Sequence, residues 1–537
     1  MYSIPLPHSF LPTLRKFAIF LVFSLIIIAA TATITRAATT SFYVSSQRTS
    51  TGNGSLTNPW KSIGDISWTT VTTALASGEV DIYLSSRDSW PDIGTLSIGA
   101  NGSASGWLKV IGNAYYCTGA TGTAVWTAEP TPFSAATNTG NLATTTSTGS
   151  GWSIASGRHY IRLEGVWSKN STWGGINLDA NTNPTTNIDH IQIVGCKVTS
   201  PVNNHGIWFG YAEAGCHDIL ISGNYVYGTQ LEAIYMGHYS YLTDTITGVI
   251  VENNVVVDCG LSGQGDIDIK PGCYGAIVRG NTHYRTSSTT TGTTCGVVVG
   301  ADACQIYNNK FFAVKGDSSD WGYGIYVNAE GAALGVGKGI SSCLIYNNLI
   351  YGSYRSGIKI LATTSTTGAD VTGVKIWNNT IWGNSEYGIV TTASSGRSVA
   401  VVELLNNIIG GNTLADLNFA SGSSINTADH NLIFRASGTM ITYGGSNRTW
   451  AQWQALGFDA HGVNADPKFN NTSGGDYSLA ANSPAIGLGA NLSTDFTTDL
   501  YSVLRPTSSS WVAGAITTPQ STVVQAPTAA TVSITVF

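Results

Sequence analysis

The stretch Gly263-Gln264-Gly265-Asp266-Ile267-Asp268-Ile269-Lys270-Pro271-Gly272 concentrates charge in a chain that has little of it. On a strand, residues two apart project to the same side, so Asp268 and Lys270 face one way. Side chains of these types move protons. An amine that has lost its own proton is a base, and two carboxyl groups such as Asp266 and Asp268 can divide acid and base roles. The plainer readings stand beside these: an outward lysine is ordinarily solvated, and aspartates suit turns.

What positions these residues is a repeat. The segments IVGCKV (193–198), ISGNYV (221–226), VENNVV (251–256), VRGNTH (278–283), IYNNKF (306–311), IYNNLI (345–350), IWNNTI (376–381) and LLNNII (404–409) align on Cys196, Asn224, Asn254, Asn281, Asn309, Asn348, Asn379 and Asn407. Most intervals are about 28 residues, a period that means a solenoid. Short β-branched and aromatic runs broken by Gly, Asn and Ser favour strands, with no helical period between them. The expected fold is therefore all-β: a right-handed parallel β-helix in which the recurring Asn forms an amide ladder at a bend. Two residues after each Asn lies an inward stack in which His283 is the odd member, read as a core histidine.

A second strand repeats as GIWFG (206–210), AIYMG (233–237), DIKPG (268–272), GVVVG (296–300), GIYVN (324–328), GIKIL (357–361) and GIVTT (388–392). Alternation sends the Ile or Val inward and its successor outward. The outward column then reads Trp208, Tyr235, Lys270, Val298, Tyr326, Lys359, Val390, and Glu232 aligns with Ile267 one coil on. Glu252 and Arg279 align as a structural ion pair.

Charged residues make up 10% of the chain and the net charge is −6, so hydroxyls and amides must solvate the surface. A nucleic-acid partner, which calls for a basic footprint, is not expected. Arg15 and Lys16 precede an apolar run from Phe17 to about Ile34, the pattern of an export signal, with an uncleaved anchor as the alternative because the run is long. The expected organisation is a signal peptide (1–37), an N-terminal cap with a helix near 61–77 and first coils (39–160), the β-helix core (161–435), a C-terminal closing unit (436–517) and a tail (518–537). A secreted monomer with no membrane association after signal cleavage is expected. Eight cysteines would permit disulfides outside the cell, or could stack unpaired in the core.

At this point the chain resembles the pectate-lyase-like superfamily of parallel β-helix proteins, from "FYVSS…GNGSLTNPWKSI" to "ADPKF…YSLAANSPAIG", over about 40–516. The segment around Lys270 is similar to the catalytic-lysine strand of family 9 pectate lyases and, more loosely, to that of family 6 alginate and chondroitin lyases. The resemblance implies a secreted lyase acting on an acidic, uronate-containing polysaccharide. Calcium would neutralise the uronate carboxylate and Lys270, with Asp268, would remove the adjacent proton. It further implies Glu232, Asp266 and Asp268 as calcium ligands, and Trp208, Tyr235, Arg285 and Tyr326 as substrate contacts. The pattern is incomplete: Leu231-Glu232-Ala233-Ile234-Tyr235 keeps only Glu232 of the acidic cluster of family 9. The strand Gly296-Val297-Val298-Val299-Gly300 lacks the arginine of family 6. Alternatives are a glycoside hydrolase of the same fold using aspartates, and a non-catalytic carbohydrate-binding solenoid.

Overall fold

The computed structural model describes residues 38–517 apart from 92–93, 119–123, 130, 132, 180–186, 200, 202–203, 211–214, 238–245, 262–263, 287–293, 315–320, 330–338 and 363–368. The expected export segment and tail lie outside the described residues. Among the described residues, no helix is long and apolar enough to cross a membrane.

One coil shows the winding rule. Thr247–Glu252 belongs to a first sheet, Val255–Val257 to a second and Gln264–Ile269 to a third, after which Ile277–Arg279 resumes the first. Each strand pairs in parallel with its counterpart one coil later. Among the described residues the sheets hold 14, 12 and 13 strands. This is the expected right-handed parallel β-helix, the hand that parallel crossovers adopt.

A dipeptide makes the bend between the first and second sheets. Its first residue is left-handed: Gly195, Gly223, Asn253, Gly280, Asn308, Asn347, Asn378, Asn406 and His430 have φ between 50° and 66°. Gly and Asn tolerate that region best. Its second residue forms the ladder. From Asn224 through Asn431, each Asn donates its backbone N–H and its Nδ2 to the next side-chain oxygen at 2.9–3.1 Å. The ladder ends on Asp459, whose other oxygen accepts from Trp453 Nε1 at 2.8 Å. Trp453 is fully buried on the short helix Trp450–Ala455, capped at Thr449.

Asn309→Leu would orphan the Asn281 N–H and the Val278 carbonyl, both served by that amide. At about 1–3 kcal/mol for each buried unpaired group, a loss on the order of 3–5 kcal/mol is expected in urea unfolding. A loss under about 1 kcal/mol would show that the ladder contributes little.

The interior is built from facing columns. In the second sheet Val198, Val226, Val256, His283, Phe311, Ile350, Ile381 and Ile409 stack in register, all fully buried. Small residues of the third sheet oppose them: Gly206 faces Val226, Gly296 faces Phe311, Gly324 faces Ile350 and Gly357 faces Ile381. An added Cβ at these glycines would come within 2.4–2.5 Å of the facing side chain. At the N-terminal end, a 3-10 turn (Ile63–Asp65) and an α-helix (Trp68–Leu75) stand where one helix was expected. The cysteines 196, 216, 259, 273, 295, 304 and 343 are buried and unpaired. At the other end the chain runs back along the coils. The left-handed Asn347, Asn378 and Asn406 hold it through the carbonyls of Thr498, Val512 and Ala490.

Candidate active site

Pairing corrects the expected register in one coil. Ile234 pairs with Ile267, not Ile269, so Tyr235 lies beside Asp268 and Glu232 falls level with Gly265. The outward column is Trp208, Tyr235, Asp268, Val298, Tyr326, Lys359, Val390. The slip is two residues, one strand period, so Asp268 and Lys270 still share a side. Lys270 follows the strand, with its N–H on the Met236 carbonyl and its own carbonyl accepting from Cys273.

Three groupings result. In the first, Lys270 Nζ lies 2.8 Å from Asp268 Oδ2 and 5.4 Å from the centre of the Tyr235 ring. Both charged side chains are nearly enclosed, at 7% and 1% exposure. His205, a residue that sequence reasoning missed because nothing in Asn204-His205-Gly206 marks it, borders the same Tyr235 ring. Its ring stacks on Trp208 at 5.8 Å with planes 5° apart and tilts against Tyr235 at 5.2 Å. Its Nδ1 is 2.7 Å from Glu232 Oε2. Trp208 and His205 are half-buried and form the open edge of the row. The indole lies over Gly210, where a Cβ would collide with it.

The second grouping is interior. Asp266 takes the small-residue place opposite His283, with Oδ2 2.6 Å from His283 Nδ1 and both side chains wholly shielded. Burial pushes the Asp266 carboxyl up to about 8, with Arg285 pulling the other way. Burial, and then the charge of Arg285, lowers His283 to about 3. Burial thus favours the neutral form of each, a carboxylic acid against a neutral imidazole, and His283 is the core histidine the sequence suggested. Arg285 belongs here rather than beside Lys270: it is buried and donates to the Cys259 carbonyl. The third grouping lies two and three coils beyond Asp268. Lys359 Nζ meets Tyr323 Oη at 3.0 Å and sits over the Tyr326 ring at 5.4 Å. The Glu252–Arg279 ion pair forms as expected, with Nε 2.7 Å from Oε2.

Calcium requires six to eight converging oxygen ligands. Glu232, Asp266 and Asp268 each face a base of their own (His205, His283 and Lys270). They are not among the described groups whose ligand atoms gather within 4.8 Å. As arranged, the three do not fit a calcium ion, and no chemical step is assigned to one.

A parallel β-helix carrying a lysine–carboxylate pair beside a row of aromatic rings is the class these observations define. No protein-family model matches the chain, and no curated protein does. Among solved structures, pectate lyase Pel9A is similar at 13% identity and a TM-score of 0.44, over 90% of this chain and 97% of its own. A mannuronic acid-specific polysaccharide family 6 lyase from human gut microbiota is similar at 13% identity and 0.46, over 80% and 91%. The periplasmic alginate epimerase AlgG gives 12% and 0.37, over 65% and 75%. The reaction has to be argued from this protein's own residues.

Proposed function

We propose that this protein is a secreted polysaccharide lyase that cleaves an acidic, uronate-containing polymer by β-elimination, with Lys270 as the base. The supporting observation is the Lys270–Asp268 pair set against Tyr235 at the closed end of the His205–Trp208 row. A sugar ring has a face that packs on aromatics, and the half-buried Trp208 edge is where the polymer would enter. The proton on C5, beside the uronate carboxylate, passes to Lys270 Nζ and leaves its electron pair as an enolate on that carboxylate. That pair then forms the C4–C5 double bond as the C4–O bond breaks, with the bonding pair leaving on oxygen, which solvent protonates. Asp268 orients the amine. Lys270 must shed its own proton first, so turnover should rise with pH until that form is populated.

The test is a screen of pectate, alginate and glycosaminoglycans for the ultraviolet absorbance of an unsaturated uronide. Absence of that product from every acidic polymer would end the reading. The same assay with a chelator reports whether calcium is required. The glycoside hydrolase alternative has one feature in its favour: burial raises Asp266 toward the protonated form that a general acid needs. It lies against His283 in the interior, however, with no exposed surface from which to reach a glycosidic oxygen.

A further inference from the structure

On the outer face of the first sheet, away from Lys270, three coils bring five ligand-type side chains together. His159, Asp189 and His217 lie in register on the strands His159–Glu164, Asp189–Val194 and His217–Ser222. The residues that follow, Tyr160, His190 and Asp218, all have left-handed φ, between 52° and 56°. Three non-glycine residues in this region on successive coils is uncommon. It gathers two columns of side chains into one patch. Asp189, His190 and His217 each present a ligand atom, and the three lie within 4.8 Å of one another. Atoms sharing one zinc at about 2.1 Å are at most about 4.2 Å apart, so side-chain shifts under about 1 Å would close the set.

The surroundings match what a metal site needs around its ligands. His159 Nδ1 holds Asp189 Oδ2 at 2.6 Å, leaving Oδ1, which is 2.7 Å from His190 Nδ1. Asp218 Oδ2 stands 2.9 Å from His217 Nδ1 and 3.4 Å from His190 Nε2, a carboxylate behind two imidazoles. Such partners orient ligating histidines and make them better donors. Tyr160 stacks on the His190 ring at 4.1 Å and fixes its plane. The other described group of this kind, Asp429, His430 and His461, is more open: Asp429 Oδ1 accepts two backbone N–H bonds, His430 Nδ1 bonds the Leu488 carbonyl, and the His461 side chain is 69% exposed.

We infer that Asp189, His190 and His217 form a binding site for a borderline divalent transition cation, zinc being the representative, with His159 and Asp218 holding the ligands. Two imidazoles and one carboxylate suit zinc rather than calcium, which takes oxygen ligands. The site is independent of the proposed lyase chemistry.

The test is calorimetric titration of zinc chloride into the intact chain near pH 7.5, with thermal unfolding recorded with and without zinc. One equivalent should bind and raise the unfolding midpoint. His190→Ala and His217→Ala should each weaken binding at least tenfold while keeping the zinc-free midpoint, and His461→Ala should bind as wild type does. No binding by wild type, undiminished binding in both alanine variants, or loss in His461→Ala would overturn the assignment. So would an equal response to calcium chloride.

Discussion

Lys270→Arg is expected to reduce uronide formation by about 10²–10⁴-fold, the usual worth of a positioned base, with the unfolding midpoint little changed. Arginine is the informative substitution. Lys270 lies 2.8 Å from Asp268, and both are buried. Alanine would strand that carboxylate and cost about 3–5 kcal/mol, so lost activity could be lost folding. A guanidinium keeps the charge on Asp268, yet stays protonated throughout the working pH range and cannot accept a proton. Retention of more than about a tenth of wild-type turnover would remove Lys270 from the chemistry. The variant also separates the lyase from the hydrolase. If Lys270→Arg still liberates reducing ends while Asp268→Asn does not, the carboxylates carry the reaction and the base assignment falls.

The fold was legible because its determinants are local. Within the aligned repeat, each Gly-Asn or Asn-Asn pair marks a left-handed residue followed by a ladder amide. Asn431 and Asp459 continue the same ladder but escaped notice. Asn431 follows His430, and Asp459 is a carboxylate standing where an amide was expected. The site was legible only in part. Aligning DIKPG with its neighbours requires a small residue ahead of an inward Ile, whereas pairing puts Asp266 in that place. Asp266 fits there because its facing residue is His283, where other coils pair glycine with an aliphatic or phenyl side chain. The two oddities are one exception, and reading them separately hid the register. The partner of Asp268 was legible, but those of Glu232 and Asp266 were not. His205 reaches Glu232 across a coil boundary, and no spacing in the sequence encodes that.

The interior pair also makes a prediction about pH. Asp266 titrates at about 8 in the fold against 3.8 ordinarily, and His283 at about 3 against 6.5, because burial disfavours the charged form of each. From about pH 4 to 6.5 the folded pair carries one proton, on Asp266, and the unfolded pair also carries one, on His283. Stability is flat there as far as this pair is concerned. Between 6.5 and 8 the unfolded pair carries none while the folded pair keeps its proton, so rising pH destabilises the fold, by about 2 kcal/mol across the window. Below about pH 4 the unfolded pair takes up two protons against one in the fold, and added acid destabilises it until His283 charges near 3. Asp266→Asn removes the carboxyl at nearly constant volume and leaves His283 with a neutral partner. Urea unfolding at pH 6.5 and pH 8 should then show wild type losing about 2 kcal/mol more than the variant. Groups titrating elsewhere act on both proteins alike and cancel in that difference. Equal losses would mean that Asp266 is ionised in the fold. Its anion would then have to be neutralised by Arg285, and the Asp266–His283 contact would be a carboxylate accepting from a neutral ring rather than an acid against one.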